Sequence, residues 1–400
     1  MKVLQVNCVY GAGSTGALVQ TLHRALLRQG AASVVCYGRG ARVRESGVRK
    51  LCPEWYAKAN HLRANVTGLK YGGCRCSTRR LMEIIRHERP DLVHLHCVNG
   101  YFLNLYRLIE WLKENQVPTV LTLHAEFFYT ANCSSARDCE QWRTGCVRCP
   151  ARVRAPGRTR RSYQAMLRAF QGFGDGLTVV SVSPWLGERA AASPILREFR
   201  HAVIGNGVDP DVFRPRDARA RRAALGFGSE RVVLHVTSEF CDTPGHCKGG
   251  DALLRLADRL RGQPVRVVVA GRCRLSGPVP DNVVLLGEVT DRRLLAQYYS
   301  MADLTVLTSR QEAFSMPVAE SLCCGTPVVG FRAGAPEQIA LPRYSEFVPQ
   351  GDLTALADCV RRWLETETDR AAVAAQARER YAAETMTRRY LACYRSLLCE

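Results

Sequence analysis

Three observations predict an α/β protein made of two doubly wound units, each a parallel sheet covered by helices on both faces. Short runs rich in Val and Leu alternate with amphipathic segments along the whole chain. The alternation starts afresh after a seam near residues 195–205. The chain has 400 residues, enough for two domains of ~100–200 residues each. Runs that are apolar at nearly every position belong in sheets buried on both faces, and helical crossovers make such sheets parallel. With 46% apolar and 23% charged residues the composition is that of a globular protein. No stretch approaches the ~20 apolar residues of a membrane-crossing helix.

The first half opens with the strand KVLQV. Gln5 and Asn7 break up the apolar run, so the amino terminus reads as a buried strand and not a secretion signal. A cytoplasmic protein is the expectation. Gly11-Ala12-Gly13-Ser14-Thr15-Gly16 then leads into a helix near 14–29. Next come ASVVCY, a helix near 76–89, DLVHLH, a helix near 103–114 and PTVLTLH. A basic helix near 160–171 and the strand LTVVSVS follow. The second half runs RVVLHVTS, a helix near 249–261, VRVVVAG, NVVLLG, a helix at 291–301, DLTVLTS, a glutamate-bearing helix, TPVVGF and EFVPQ. A final helix is expected within 384–399.

Charge and cysteine usage narrow the classes. The net charge of +19 rests almost entirely on arginine, with one cluster at 151–161. No aromatics are interleaved with the basic residues as in RNA-binding modules, so contact with an anionic membrane surface is favoured over nucleic acid. Solvated faces would account for the charge equally well. Eighteen cysteines in a large chain without an export signal read mostly as buried thiols. One group stands apart: Cys133, Cys139, Cys146 and Cys149, spaced C-x5-C-x6-C-x2-C. Four cysteines ending in C-x2-C can close a structural zinc site, and metal would stiffen a polar loop. Two disulfides and free thiols are the other readings.

The most informative stretch is SRQEAFSMPVAESLCCGTPVVG at 309–330. Pro317 suits a helix start and Gly325 a helix end. Glu312 then falls in the loop and Glu320 in the first helical turn, beside amides that form an anion site. Carboxylates there repel a phosphate unless they face its sugars, so the ligand would carry both phosphate and polyol. Two acids near a helix start can also be plain dipole compensation.

The string E-x-F-S-x-P-x-x-E, followed by S-L-x-x-G-T-P-V-V, resembles the E-x7-E motif of retaining GT-B glycosyltransferases of family 4. The resemblance covers nearly the whole chain. It implies a GT-B fold of two Rossmann-like domains facing a cleft. Residues 1–200 would form the acceptor side with a Cys-rich insertion at 131–150, and 201–382 would bind the nucleotide sugar. Residues 383–400 would cross back to the first domain. It assigns Glu312 to the donor's sugar, Glu320 to the ribose and Lys248, in Lys248-Gly249, to the diphosphate. Phe314, Ser315 and Met316 would offer backbone amides. Asn206, in VIGNGVDPDVFRP, resembles the family's N-G-V-D-x-x-x-F. Gly13 and Ser14 would approach the donor phosphates, and His124 matches a histidine near the transferred sugar. Glu312, His124 and Lys248 are the candidate catalytic residues.

The sequence departs from the family at Ser238 and Glu239, where an arginine is usual, leaving His246 or an arginine from elsewhere to compensate. Glu337, in G-A-P-E, is a weaker candidate. The Cys-rich loop after His124 resembles that of certain polysaccharide-synthesis members. The expected activity is transfer from a nucleotide-diphosphate sugar to a glycan or polyprenyl-linked acceptor, with no cofactor needed for catalysis. The cytoplasmic membrane face is the implied setting. Two alternatives stay open. The 11–16 loop formally satisfies G-x-G-x-x-G, and Arg39 could meet a 2′-phosphate, as in an NADP-dependent oxidoreductase. A non-catalytic sugar-nucleotide-binding protein is the other.

Overall fold

The computed structural model describes residues 1–130, 133–149 and 156–399, with the side chains of 156–158 excepted. Two compact units form: Met1–Gly205 together with Met386–Glu400, and Asn206–Thr385.

The first unit holds seven strands: β1 (Lys2–Asn7), β2 (Ala32–Tyr37), β3 (Val48–Lys50), β4 (Leu92–Leu95), β5 (Thr119–Leu123), β6 (Leu177–Ser181) and β7 (Arg200–Val203). Their order is β3-β2-β1-β4-β5-β6-β7, every pair parallel. Every side chain of the central strands β4, β5 and β6 is buried, which is why they read as Val- and Leu-rich runs. β3 and β7 fall outside the pattern read from the sequence. Both are edge strands with no fully buried residue, and so lack the signal that exposes the others.

The terminal helix Ala383–Leu398 completes this unit's core. Met386, Tyr390, Tyr394 and Leu397 pack among Val3, Leu22, Leu92, Val120 and Val180. Two buried polar contacts fix its register. Tyr394 Oη and His94 Nδ1 share a hydrogen bond of 2.6 Å, and Tyr390 Oη lies 3.1 Å from Thr122 Oγ1.

The second unit carries β8 (Arg231–Cys241), β9 (Val265–Arg274), β10 (Val283–Gly287), β11 (Leu304–Leu307), β12 (Val328–Phe331) and β13 (Ser345–Val348). Their order is β10-β9-β8-β11-β12-β13, again all parallel. Its core joins Val233, Leu253, Leu256, Val267, Val306 and Val329 to Leu356 and Val360. In each sheet the strand order reverses once, between β1 and β4 and between β8 and β11. Loops leaving the carboxyl ends of such a pair diverge, and the crevice between them is where doubly wound sheets hold ligands.

A candidate donor site at the strand-order reversal

The second unit places its motif residues at that reversal. Lys248 follows β8 and Glu312 follows β11. Their loops are locked together by Gly249, which adopts φ +66 and lies so close to Thr308 that a Cβ would come within 1.9 Å of the Thr308 carbonyl oxygen. Arg310 N–H donates to Cys247 O at 2.9 Å, clamping the loops a second time. The outcome is a Lys248 Nζ–Glu312 Oε1 ion pair of 2.8 Å, with both side chains half-buried. Burial works against the lysine's charge, but the Glu312 carboxylate outweighs it and holds the Lys248 pKa above its ordinary value. Glu312 is also pinned through its backbone, its N–H donating to Ala333 O and its carbonyl accepting from Ala335 N–H.

The helix Met316–Cys323 starts immediately after, with Pro317 in its first turn. Glu320 lies in the second turn and not the first, because the helix begins at Met316 and carries no acid in its opening turn. Glu320 therefore sits below the free amides, against the neighbouring helix Arg292–Met301. Tyr299 Oη donates to its Oε2 at 3.2 Å. Desolvation pushes its pKa up to about 7, opposed by the nearby Arg292 charge and the Tyr299 hydroxyl. Tyr299 and Arg292 are functional neighbours that the sequence does not reveal, since a tyrosine on an amphipathic helix reads as core.

Phe314 and Ser315 are buried and Met316 half-buried. Ser315 takes φ +80, a conformation costly for a residue with a Cβ, and its buried Oγ has no hydrogen-bond partner among the described residues. Asn206 is buried at the start of the unit, two residues before Val208, which bridges to Ala382. Glu337 shapes the backbone, its carboxylate accepting from Ala333 N–H and Gly334 N–H at 3.0 and 3.1 Å. Beyond β8 and β9 lies an open pocket of about 510 Å³ lined by Glu239, Asp242, His246 and Arg274 among others. Arg274 Nε pairs with Glu239 Oε1 at 2.9 Å. An arginine of β9 thus stands against Glu239, one of the two β8 positions where the resemblance expects an arginine.

The first unit presents its own candidates at carboxyl ends. The loop after β1 carries Gly11 and Gly13 at φ +70 and +63 and opens the helix Gly13–Arg28, with Gly13 and Ser14 exposed. Arg39 is committed elsewhere, its Nε 2.8 Å from Glu54 Oε2 and its Nη1 3.1 Å from Gly100 O. His124 follows β5. Burial lowers its pKa to about 4, so the ring is neutral at physiological pH. Gln5 Oε1 accepts from His96 Nε2 at 3.2 Å, leaving His96 Nδ1 to accept from His124 Nε2 at 3.4 Å.

The Cys-rich segment is described in part. Residues 131, 132 and 150 of the 131–150 insertion, and 151–155 of the basic cluster, lie outside the described residues. No disulfide joins Cys133, Cys139, Cys146 and Cys149. Among the described residues no three of His, Cys, Asp or Glu are grouped so as to hold a metal. The loop has a core after all. Trp142 is fully buried against Tyr129, with the guanidinium of Arg189 4.8 Å from its ring. Buried Glu126 ties the segment down by accepting from Tyr129 Oη at 2.7 Å, Arg189 Nε at 2.8 Å and Ala136 N–H. One buried indole supplies the anchor that polar composition concealed.

Comparison with known proteins agrees with this geometry. The family model described as Glycosyltransferase Family 4 matches residues 15–212, and that of Glycosyl transferases group 1 matches 244–380. A relative from Escherichia coli K12, the putative colanic acid biosynthesis glycosyl transferase WcaC, is 26% identical across 99% of this chain and 100% of its own length. D-inositol 3-phosphate glycosyltransferase of Mycobacterium tuberculosis H37Ra is 40% identical over 146 residues, 33% of this chain and 29% of that protein. Among solved structures, sucrose-phosphate synthase from Thermosynechococcus elongatus superposes with a TM-score of 0.72 at 18% identity, covering 100% of this chain and 99% of that one. Anabaena HepE in complex with UDP-glucose gives 0.66 at 16% identity, over 99% and 100%. At these identities the structural likeness establishes the fold. With two family models matched in tandem over the two units, a full-length relative and this fold, the chain belongs to the group 1, family 4 glycosyltransferases of GT-B architecture.

Proposed function

We propose that this glycosyltransferase is a retaining enzyme. It would move a sugar from a nucleotide-diphosphate sugar to a glycan or polyprenyl-linked acceptor in surface polysaccharide assembly. The observation that carries the reading is the Lys248–Glu312 pair, held at 2.8 Å beside the start of the helix Met316–Cys323. A cation and a helix N-terminus together favour the negative charge that grows on a departing diphosphate. Carboxylates are good acceptors for vicinal hydroxyls, which suits Glu312 to the sugar and Glu320 to the ribose. An incoming diphosphate competes for Lys248 and releases the Glu312 carboxylate for the sugar.

Retention then requires no protein nucleophile. The anomeric carbon–oxygen bond to the diphosphate breaks as the acceptor oxygen bonds on the same face, and the leaving phosphate oxygen takes the acceptor's proton. His124, neutral and with its Nε2 engaged, would serve as a hydrogen-bonding group and not as a charge. The similarity to WcaC supports the polysaccharide setting, and the UDP-glucose bound by HepE supports a nucleotide-sugar donor.

The test is release of nucleoside diphosphate from a panel of UDP- and GDP-sugars. Lys248→Met should lower turnover on the accepted donor by about 10²–10³-fold, the usual cost of removing one donor to a developing anion, with circular dichroism unchanged. Wild-type turnover in that variant would sink the assignment.

A further inference from the structure

The geometry points to the helix Glu54–Thr67 as a docking surface for an anionic lipid bilayer. Trp55, Leu62 and Val66 are 69%, 68% and 63% exposed, the three most exposed large apolar side chains among the described residues. With exposed Ala59 they recur at i, i+4, i+7 and i+11. At ~100° per residue these four positions fall within a ~60° arc, so they form one continuous stripe facing away from the unit. The opposite face is seated through the buried Ala57 and Ala64. Nothing among the described residues of the unit covers the outer stripe.

The charges beside the stripe name the occupant. Lys58 and Arg63 are exposed and fall on either side of it, and no exposed residue of the helix is acidic. Its single carboxylate, Glu54, is taken up by Arg39 and Lys50. A further cation is brought alongside. Cys74 N–H donates to Asn60 Oδ1 at 2.9 Å and Cys76 N–H to Tyr56 Oη at 3.1 Å, which sets exposed Arg75 at the helix's flank. An apolar ridge with a tryptophan, bordered only by cations, is how an interfacial helix lies in the headgroup region of an anionic membrane. Long basic side chains reach past the ridge to the phosphates. A water-soluble protein partner would be expected to present carboxylates to these cations, and a second copy would bring cations against cations. No helix among the described residues is long and apolar enough to cross a membrane, so this contact lies on the surface. The inference deepens the proposed use of a polyprenyl-linked acceptor, but it does not depend on any turnover.

Co-sedimentation of the full chain with sucrose-loaded vesicles tests it. Phosphatidylglycerol–phosphatidylcholine vesicles are compared with pure phosphatidylcholine at low and high salt. The wild type should partition onto the anionic vesicles, less so at high salt, and not onto the neutral ones. Trp55→Ser with Leu62→Ser should weaken partitioning at least tenfold. Lys58→Ala and Arg63→Ala should each cost about fivefold, as expected for one basic residue near an anionic surface. All four positions are exposed, and unchanged melting temperatures would confirm that the variants fold. Equal binding to neutral vesicles, or undiminished binding of the Trp55/Leu62 variant, overturns the inference. So does a wild-type dimer that this variant dissociates, which would give the stripe to a second copy. Failure to turn over any nucleotide sugar would count against the proposed reaction alone.

Discussion

Glu320→Gln tests whether the half-buried acid of the motif helix is held for a ligand at the expense of the fold. The Glu320 pKa is raised from 4.5 to about 7 by desolvation. Between those two values the folded chain keeps a proton that the unfolded chain has lost, so stability falls as pH rises through the window and levels off above it. A difference of roughly 2.5 units at ~1.36 kcal/mol each sets an upper bound of ~3 kcal/mol. The attraction of Arg292 is already contained in that net shift, so Glu320→Gln should be more stable than wild type by ~1–3 kcal/mol at pH 8. The two proteins should be alike near pH 5. In a unit of this size that corresponds to a rise in melting temperature of roughly 2–4 °C per kcal/mol. Urea melts of both proteins at pH 5, 6, 7 and 8 measure it. Nucleotide titrations complete the experiment. If the ionised carboxylate holds ribose hydroxyls, wild-type affinity should drop about tenfold per pH unit below 7, and the variant should bind weakly without that dependence. A stability difference independent of pH, or a glutamine variant less stable at pH 8, would refute the reasoning.

Two further substitutions probe how the loops are set. Gly249→Ala places a Cβ within 1.9 Å of Thr308 O at φ +66. It should destabilise by more than about 3 kcal/mol and abolish donor binding, so a near-native melt would show that the two loops are not in contact. Ser315→Gly relieves a left-handed backbone of φ +80 and removes a buried hydroxyl without a partner. Chemical denaturation should show a gain of ~1–2 kcal/mol. A loss would mean that the hydroxyl has a stabilising role in the folded chain.

Legibility followed burial. β4, β5, β6 and β11 are buried at every position because both faces are covered, and the sequence reveals them as Val- and Leu-rich runs. β3 is three half-exposed residues at an edge, with no pattern to read. The helix Glu54–Thr67 escapes for a different reason: its buried face is made of alanines and its exposed face carries the large apolar residues. The period that marks an amphipathic helix is therefore blurred. In the site, the residues of the E-x7-E string and Lys248 are legible as types at a spacing. Their meeting is not, because it depends on Gly249 touching Thr308, far away in the chain. The helix starts early enough to move Glu320 from the first turn to the second and set it, half-buried, beside Tyr299. In the Cys-rich segment the anchoring role of Trp142 is not legible, because a single indole in a polar stretch does not announce that it will be buried.

The return of Met386–Glu400 to the first unit has a consequence for biosynthesis. Emerging from the ribosome, β1, β4 and β6 are finished long before the helix that covers Val3, Leu92 and Val180 exists. At ~5–20 residues per second, the intervening second unit alone takes on the order of 10–40 s to make. Over that interval the nascent first sheet presents an uncovered apolar face, with His94 and Thr122 lacking the tyrosine hydroxyls they will receive. The second unit, contiguous in sequence, suffers no such delay. The half of the protein synthesised first is therefore the half that finishes folding last, and it is the half with greater need of a chaperone while the chain grows.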